Sequence, residues 1–252
     1  MARISYDDQT AAAFKAVREV PRDGLGEWHQ AIGRHLRPSR GMTLVDIGAG
    51  TGAFAAAFSD WFGLGIVAVE PSAAMRAQIP RGSGIQVLEG HAGSLPLPGD
   101  SADAAWLSTV VHHIPDLEAA AREIRRVLRP GSPVLIRQAF PGRADRIELV
   151  RWFPETVRTI DTYPSVEQVC QAFAAAGFCQ EVLEQVPQTH QASLAEFLGH
   201  VDTFRRADTT MRNLTEEEFL RGKERLRRAI QHTEETSSPE PRTSWLDLLV
   251  LR

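Results

Sequence analysis

A glycine-rich turn follows an apolar segment in LVDIGAGTGAF, residues 44–54. Its glycines and one alanine, Gly48, Gly50 and Ala53, satisfy the pattern G-x-G-x-x-G/A, which occurs in turns that bind dinucleotides. Glycines let the chain turn sharply and let a ligand approach the backbone without meeting a Cβ atom, and the helix that follows presents free N–H groups. We therefore expect Gly48, Ala49 and Gly50 to contact a ligand. The alternative is a tight strand-to-helix turn without one.

A carboxylate follows at the distance expected for a ribose contact. Glu70 ends the apolar segment GIVAVE and lies 20 residues after Gly50, where a carboxylate can accept hydrogen bonds from both hydroxyls of a ribose. Free 2′ and 3′ hydroxyls disfavour NADP and leave NAD, FAD and S-adenosylmethionine as ligands. The alternative for Glu70 is an ordinary exposed acid at the end of a strand.

A second carboxylate, Asp46, distinguishes these ligands by charge. It lies two residues before Gly48, where it would repel a pyrophosphate and attract the ammonium group of S-adenosylmethionine. The sequence therefore favours S-adenosylmethionine. A purely structural Asp46 that accepts from the N–H groups of the turn is the alternative.

The elements that must position these residues alternate between strand and helix. Apolar runs predict five strands, and helical spacing with capping residues predicts helices between them. Five alternations predict a parallel sheet covered by helices on both faces. The predicted strands are 43–48, 65–70, 85–90, 103–109 and 132–140, and the helices are 51–62, 71–79 and 116–131, the last capped by Asp116, with two more helices within 8–36.

The second half of the chain is less regular. Capping-box patterns begin at Ser165, Ser193 and Thr215 and each predicts a helix, while the polar stretch 232–243 predicts a loop. FCQEVLEQV and SWLDLLVL are typical of strands. We expect one domain over residues 1–252, with N-terminal helices in 1–40, a cofactor-binding core in 42–140, substrate-side helical segments in 141–164 and 188–231, and a last strand at 244–251.

Composition excludes several classes of protein. The formal net charge is −4, whereas nucleic-acid binding normally needs a basic face. Cys170 and Cys179 lack the close pairs that bind zinc and are expected to be reduced. No apolar run reaches the roughly 18 residues of a membrane span, and the N-terminus does not resemble a signal peptide. We expect a cytoplasmic protein without a membrane or nucleic-acid partner.

Five segments, taken in order, identify a family. VDIGAGTG, VAVEPS, EGHAGSLPLPGDSADAAW, VVHHIPD and VLRPGSPVLI resemble the class I S-adenosylmethionine-dependent methyltransferases of the ubiquinone-biosynthesis-like group, over roughly residues 42–140. The resemblance implies an α/β Rossmann-like fold with a seven-stranded, mostly parallel sheet whose last strand is antiparallel, with inserted helical lid segments. It also implies that Gly48 and Gly50 approach the methionine portion of the cofactor, that Glu70 binds the ribose, and that Pro71 or Met75 covers one face of the adenine.

The resemblance also assigns roles near the transferred methyl group, with one departure. His91-Ala92 stands where this group usually has Asp-Ala; neutral His91 can still accept from the adenine amino group through one ring nitrogen. Ser108 to His113 would form the floor beneath the sulfonium. His112 or His113 could take a proton from the acceptor, because a histidine titrates near neutral pH. The alternatives are a surface-loop His91, and a histidine pair that only shapes the pocket.

Acceptor recognition is expected outside the resembling core. Candidate contacts come from the N-terminal helices and from RIELVRWF, in which apolar and cationic residues are mixed; they are Tyr6, Phe14, Arg146 and Trp152. The alternative for RIELVRWF is an amphipathic helix packed on the sheet. No metal site is expected, because the spacing of His190, Glu196, His200 and Asp202 matches no compact ligand motif.

The expected function is therefore S-adenosylmethionine-dependent methylation of a small molecule, with S-adenosylhomocysteine as product. We rank oxygen before nitrogen before carbon as the acceptor atom, and expect a role in secondary metabolism and a monomer or homodimer. One alternative is a fold relative that binds S-adenosylmethionine as a cyclase or sensor. Others are an NAD-dependent oxidoreductase, which Asp46 argues against, and a protein or nucleic-acid methyltransferase, which the acidic charge balance disfavours.

Overall fold

The structure, a computed structural model, describes residues 22–82, 84–190, 192–236 and 242–252. In these residues seven strands form one sheet in the order β3-β2-β1-β4-β5-β7-β6. Strand β7 runs antiparallel to β5 and β6, and the pairs among β1 to β5 are parallel. The predicted seven-stranded sheet with an antiparallel last strand is confirmed. The strands are β1 (Thr43–Ile47), β2 (Gly65–Val69), β3 (Ile85–Leu88), β4 (Ala104–Ser108), β5 (Val134–Gln138), β6 (Gln180–His190) and β7 (Arg242–Leu251).

Helices connect the strands and extend beyond the sheet. They are α1 (Gly26–Leu36), α2 (Ala53–Phe62), α3 (Ala73–Arg76), α4 (Leu117–Val127), α5 (Glu148–Trp152), α6 (Val157–Ile160), α7 (Val166–Ala174), α8 (Leu194–Ala207), α9 (Thr209–Arg212) and α10 (Glu216–Thr236), with short 3-10 turns at Arg22–Leu25, Val111–His113 and Pro154–Thr156. Of the two helices predicted within 8–36, the second is α1; the first lies outside the described residues.

The predicted helix caps are present. The Asp116 carboxylate accepts from the Ala119 N–H at 2.8 Å at the start of α4. Ser165 and Ser193 form reciprocal capping boxes at α7 and α8, and Thr215 does so with Glu218 at α10. Each cap satisfies backbone groups that a helix end leaves without partners.

Alternating side chains of the strands build two cores, one on each face of the sheet. On one face, Val45 and Ile47 belong to a cluster that includes residues of α4 and α7. On the other face, Leu44 belongs to a cluster with residues of α1 and α2, including the fully buried Trp28. A third, smaller cluster lies among α5, α8, α9 and α10. The sheet core is thus distinct from the core of the helical segments.

Helices α10 and α3 and strand β6 differ from the sequence-based expectation in an informative way. Helix α10 continues through Thr236, so the loop predicted from residue 232 begins later, because the acidic residues in HTEET are compatible with a helix. Helix α3 is four residues long, shorter than the predicted 71–79. Strand β6 continues to His190, which pairs with Arg242; its polar residues and Pro187 hid the strand, and both are tolerated because β6 is an edge strand.

No helix in the described part of the chain is both long enough and apolar enough to cross a membrane.

Candidate active site

A cavity of about 1380 Å³ opens where β1, β2, β4 and β5 end. Strand β1 lies between β2 and β4, so the strand order reverses here, which is where open α/β sheets bind ligands. The structure brings all ten predicted cofactor residues and both predicted catalytic histidines into its wall: Asp46, Gly48, Ala49, Gly50, Glu70, Pro71, Met75, His91, Ala92, Ser108, His112 and His113.

The turn needs glycine for its own backbone conformation and packing, and it also borders the cavity. Gly48 and Gly50 have φ of 71° and 56°, values that side-chain-bearing residues rarely adopt. A Cβ atom at Gly48 would overlap Val110. The turn is held to β2 because the N–H groups of Gly48 and Ala49 donate to the Val69 carbonyl at 2.8 and 3.2 Å. The backbone that the turn presents to the cavity is therefore held in place by contacts within the protein.

Glu70 is a buried, fixed carboxylate. It is 7% exposed, and its Oε2 and Oε1 accept from the N–H groups of Gly50 and Ser72, each at 2.9 Å. Burial raises its pKa, and these two N–H groups and Arg76 oppose that rise. Each carboxylate oxygen has a second lone pair for a ligand hydroxyl. Glu70 thus lines the cavity with a fixed carboxylate, and its contact with a ribose stays a prediction.

Asp46 is a buried carboxylate in a different environment. It is 2% exposed, and its Oδ2 has no hydrogen-bond partner among the described residues. Burial, and secondarily the charge of Glu70, raises the pKa of Asp46 to about 8. A cation nearby would favour the ionised form. This arrangement suits the ammonium group predicted to bind here.

His91 presents a different group from the one expected. Its Nδ1 accepts from the Gly93 N–H at 3.2 Å. In the neutral ring the proton then lies on Nε2, which makes that nitrogen a donor. His91 can therefore donate to a ring nitrogen of an adenine, whereas acceptance from the adenine amino group would need the opposite tautomer.

The segment after β4 holds the two histidines. Nδ1 of His112 lies 3.1 Å from Nε2 of Gln138, and an amide nitrogen only donates, so Nδ1 accepts and neutral His112 carries its proton on Nε2. The ring of His112 stacks on Tyr163 at 4.0 Å and contacts His113 at 4.1 Å between centroids. These contacts hold the His112 ring in one orientation.

The predicted acceptor contacts divide into three cases. Trp152 lines the cavity. Arg146 is not in the cavity wall; its guanidinium lies 3.4 Å from the Trp245 ring centroid and donates to Gln185 at 3.3 Å. Tyr6 and Phe14 lie outside the described residues. The helix of RIELVRWF, α5, thus contributes Trp152 to the cavity and also packs on neighbouring side chains.

Several cavity residues were missed by the sequence analysis. Arg137 and Gln188 line the cavity and hydrogen-bond to each other. The signal for Arg137 was an arginine inside the otherwise apolar segment SPVLIRQAF. Thr109 lies within the predicted floor Ser108 to His113 and does line the cavity, but its φ of 50°, which a β-branched residue rarely adopts, was not indicated by the sequence.

The four residues considered for a metal do not come together. His190, Glu196 and His200 line the cavity, whereas Asp202 pairs with Lys223 at 2.8 Å. A search of the described residues finds no group of three or more His, Cys, Asp or Glu side chains placed to hold a metal ion.

Sequence comparison identifies the core of the chain. Residues 45–136 match the family model of a methyltransferase domain. A protein of Mycobacterium bovis described as an uncharacterized methyltransferase is 38% identical over 108 residues, which cover 42% of this chain and 42% of that protein. The chain thus spans about two fifths of the length of the curated relatives it matches.

Structure comparison covers nearly the whole chain. A protein from Anabaena variabilis, provisionally described as a methyltransferase of an antibiotic biosynthesis pathway, superposes with a TM-score of 0.72 at 21% identity, over 92% of this chain and 98% of that one. The [4+2]-cyclase SpnF superposes with a TM-score of 0.59 at 18% identity, over 97% and 93% of the two chains. At these identities the likeness establishes the fold alone.

The sequence match and the fold agree. The methyltransferase-domain model covers β1 to β5 except for the first two residues of β1 and the last two of β5, and these strands belong to a seven-stranded sheet with an antiparallel β7. The chain therefore contains a methyltransferase domain at residues 45–136, within a Rossmann-like seven-stranded fold.

Proposed function

We propose that the protein transfers the methyl group of S-adenosylmethionine to a small-molecule acceptor, with oxygen before nitrogen before carbon as the acceptor atom. The observation that carries the proposal is one continuous cavity lined both by the cofactor residues and by apolar side chains of the helical segments, among them Ile147, Trp152, Tyr163 and Phe197. Its volume of about 1380 Å³ exceeds the roughly 300–1,000 Å³ of an ordinary single-ligand pocket. The cavity therefore has room for an acceptor beside the cofactor.

The cofactor half is proposed to bind S-adenosylmethionine through a small set of groups. Glu70 binds the ribose hydroxyls, Asp46 the ammonium, and the turn at Gly48 and Gly50 the rest of the methionine portion. Pro71, Met75, His91 and Ala92 surround the adenine, and Ser108 lies below the sulfonium. The buried Oδ2 of Asp46, which has no hydrogen-bond partner in the described part of the chain, fits a cationic ligand. When bound, S-adenosylmethionine supplies an electrophilic methyl group on a sulfonium.

The protein's contribution to the reaction is alignment and the exclusion of water. Trp152 and the stacked rings of Tyr163 and His112 offer a flat, apolar surface against which an acceptor can be oriented. An acceptor that is already nucleophilic needs only this positioning. A hydroxyl acceptor also needs a base.

His112 and His113 are the proposed catalytic residues. With Nδ1 accepting from Gln138, His112 donates from Nε2 and can hold an acceptor oxygen. A base role for His112 requires the Gln138 amide to rotate, which would bring its Oε1, buried without a partner in the described residues, to Nδ1. If turnover of His112→Ala and His113→Ala equals that of the wild type at every pH, neither histidine is the base.

The remaining proposals rest on composition. The net charge of −4 supports a small-molecule acceptor rather than a nucleic acid. We propose a cytoplasmic monomer or homodimer that acts in secondary metabolism.

The decisive experiment is calorimetric titration of the protein with S-adenosylhomocysteine and, separately, with NADH. The proposal predicts binding of the first at about micromolar Kd and none of the second. Incubation with S-adenosylmethionine and a library of small molecules, followed by mass spectrometry, then detects a product heavier by one methylene together with S-adenosylhomocysteine. Binding of NADH, or of neither compound, would overturn the proposal. A product of unchanged mass without S-adenosylhomocysteine would identify a cyclase instead.

A further inference from the structure

Gln188 lies in the cavity wall on the side away from the proposed cofactor residues. Strands β6 and β7 lie beyond β5 in the sheet, with β1 and β2 on the other side of it. Gln188 is 4% exposed, and the proposed function assigns it no role. Alternate residues of β6 and β7 line the cavity here, as residues on one face of a sheet do: Gln188, His190, Arg242, Ser244 and Leu246.

A hydrogen bond fixes the orientation of the Gln188 amide. Nη2 of Arg137 donates to Oε1 of Gln188, and a guanidinium has no lone pair with which to accept a hydrogen bond. Rotation of the amide by 180° would therefore bring two donors together. The amide oxygen points toward Arg137 and the amide nitrogen points away from it. This orientation depends on that one hydrogen bond and not on the other contacts of Arg137.

The amide nitrogen of Gln188 remains available to a ligand. It has no hydrogen-bond partner in the described part of the chain. Oε1 of Gln138 is enclosed by protein without a partner, whereas the Gln188 nitrogen is not among the atoms enclosed in this way. When a ligand displaces water from the cavity, N–H groups that find no acceptor weaken its binding. A ligand with an oxygen at this position is therefore favoured.

Ser244 provides a second uncharged donor beside Gln188. The two residues are directly opposite each other in the pairing of β6 with β7, so their side chains project from the same face, with Cβ atoms about 4.5–5.5 Å apart. Oγ of Ser244 accepts from the Glu148 N–H at 3.2 Å, and its own proton has no acceptor among the described residues. An amide N–H and a hydroxyl can thus donate to the same ligand atom.

The surroundings of this donor pair are largely apolar. Leu246 follows Ser244 on the same face of β7, and Phe54 also lines the cavity, with its ring centroid 5.4 Å from the guanidinium carbon of Arg137. A carbonyl oxygen has two lone pairs and can accept from both donors. A few polar groups in an apolar wall are typical of sites that fix the orientation of a small molecule.

From this arrangement we infer that the acceptor carries an uncharged carbonyl group on an apolar body, and that Gln188 and Ser244 bind the carbonyl oxygen. A site built to donate hydrogen bonds discriminates strongly against a compound that lacks the matching acceptor. The inference rests on the proposed methyltransferase function, because it names the class of acceptor for the same cavity.

The test compares ketones with hydrocarbons of similar shape on protein saturated with S-adenosylhomocysteine. The probes are acetophenone against ethylbenzene and 2-acetylnaphthalene against 2-ethylnaphthalene, titrated by NMR, with 2-naphthoate as the charged counterpart. Water solvates a ketone better than a hydrocarbon, so a ketone binds more tightly only if the cavity supplies donors. At least one ketone should bind about fivefold or more tightly than its hydrocarbon.

Two variants and one control complete the experiment. Gln188→Glu keeps an oxygen for Arg137 but removes both N–H donors, so the preference for the ketone should disappear. Ser244→Ala removes the second donor and should reduce the preference. The control is Gln185→Glu: Gln185 lies on the same strand and its Oε1 also accepts from an arginine, Arg146, at 3.3 Å, but it does not line the cavity. Its preference should equal that of the wild type.

The outcomes separate this inference from the proposed function. Failure of the wild type to bind S-adenosylhomocysteine overturns both. If S-adenosylhomocysteine binds but no ketone binds more tightly than its hydrocarbon, the inference alone is overturned. Tighter binding of 2-naphthoate than of 2-acetylnaphthalene, or a full preference in Gln188→Glu, also overturns it. If Gln188→Glu no longer binds S-adenosylhomocysteine, Ser244→Ala decides: an undiminished preference overturns the inference and a reduced one supports it.

Discussion

Asp46 and Glu70 show how one chemical group acquires two roles from its surroundings. Both are buried at the ends of adjacent strands, but Glu70 accepts from two backbone N–H groups and Oδ2 of Asp46 has no partner in the described residues. Hydrogen bonds to a carboxylate favour its ionised form, and burial without them favours the protonated form. Glu70 can therefore accept hydrogen bonds whether or not a ligand is bound, whereas the protonation state of Asp46 depends on the charge of the ligand.

Replacement of Glu70 tests the ribose contact. Glu70→Ala should weaken binding of S-adenosylhomocysteine by about 1–3 kcal/mol, because hydrogen bonds to a charged acceptor are lost. Calorimetric titration measures the change. Glu89→Ala is the matched control, since Glu89 is exposed and pairs at 2.7 Å with Arg76, whose charge also acts on Glu70. Equal affinity of Glu70→Ala and the wild type would contradict the role.

Asp46 should make the ligand-free protein less stable as pH rises. In the unfolded chain this carboxyl ionises near its ordinary pKa of 3.8, whereas in the folded protein the pKa is about 8. Between these values the folded state binds more protons, so the free energy of unfolding falls as pH increases and levels off above about pH 8. Urea unfolding from pH 5 to 8 should show a shallower decline for Asp46→Asn than for the wild type. Parallel curves for the two proteins would refute the raised pKa.

The sequence predicted the residues proposed to bind the cofactor and missed several other residues of the cavity wall, for a physical reason. Gly48, Gly50 and Glu70 lie in local patterns at strand ends, where the fold alone brings them together. The contact of Arg137 with Gln188 joins residues 51 apart in the chain, and no local spacing encodes it. The tautomer of His91 could not be predicted from the sequence either, because it depends on the Gly93 N–H and not on the residue type.

At the level of elements, prediction succeeded where burial and caps both leave a local trace. Buried strands β1, β2, β4 and β5 are short apolar runs, and α4, α7 and α8 begin at recognisable caps. The edge strand β6 was harder to recognise, because only Val186 and Gln188 of its eleven residues are buried and Pro187 lies within it. The end of α10 could not be recognised in the sequence, since no capping glycine marks it.

The cap of α7 provides a prediction at this scale. Helix α7 contributes the buried residues Val169 and Phe173 to the sheet core, so its stability is coupled to global unfolding. Ser165→Ala removes the acceptor for the Gln168 N–H and should lower the free energy of unfolding by about 0.5–2 kcal/mol. Ser39→Ala, at an exposed loop position, is the control and should change it by less than about 0.5 kcal/mol. Urea denaturation measures both, and equal stability of the two variants would contradict the coupling.

Across the whole molecule, the two sheet cores and the third, helical cluster support different sides of the cavity. The residues proposed to bind the cofactor lie near the ends of strands whose side chains form the two sheet cores. The side of the cavity proposed to bind the acceptor includes residues of helices whose side chains form the third cluster, among them Trp152 and Phe197. A fold divided in this way can change its acceptor through the helical segments while the cofactor half stays the same.

If the third cluster unfolds independently of the sheet, a substitution within it should destabilise only the helices that form it. Phe219 is 2% exposed and stacks on Phe153 at 5.8 Å between centroids, so Phe219→Ala should destabilise the helical unit by about 3–5 kcal/mol. Hydrogen exchange should then accelerate in residues 194–236 and not in β1, β4 and β5, because proteins open in cooperative units. Affinity for S-adenosylhomocysteine should change by less than about twofold.

The control is Phe173→Ala, in the sheet core. It should instead accelerate hydrogen exchange in the sheet, since the cavity it would create destabilises the part of the protein that carries the proposed cofactor residues. Equal acceleration in the sheet and the helices of Phe219→Ala would mean that the molecule unfolds as one unit.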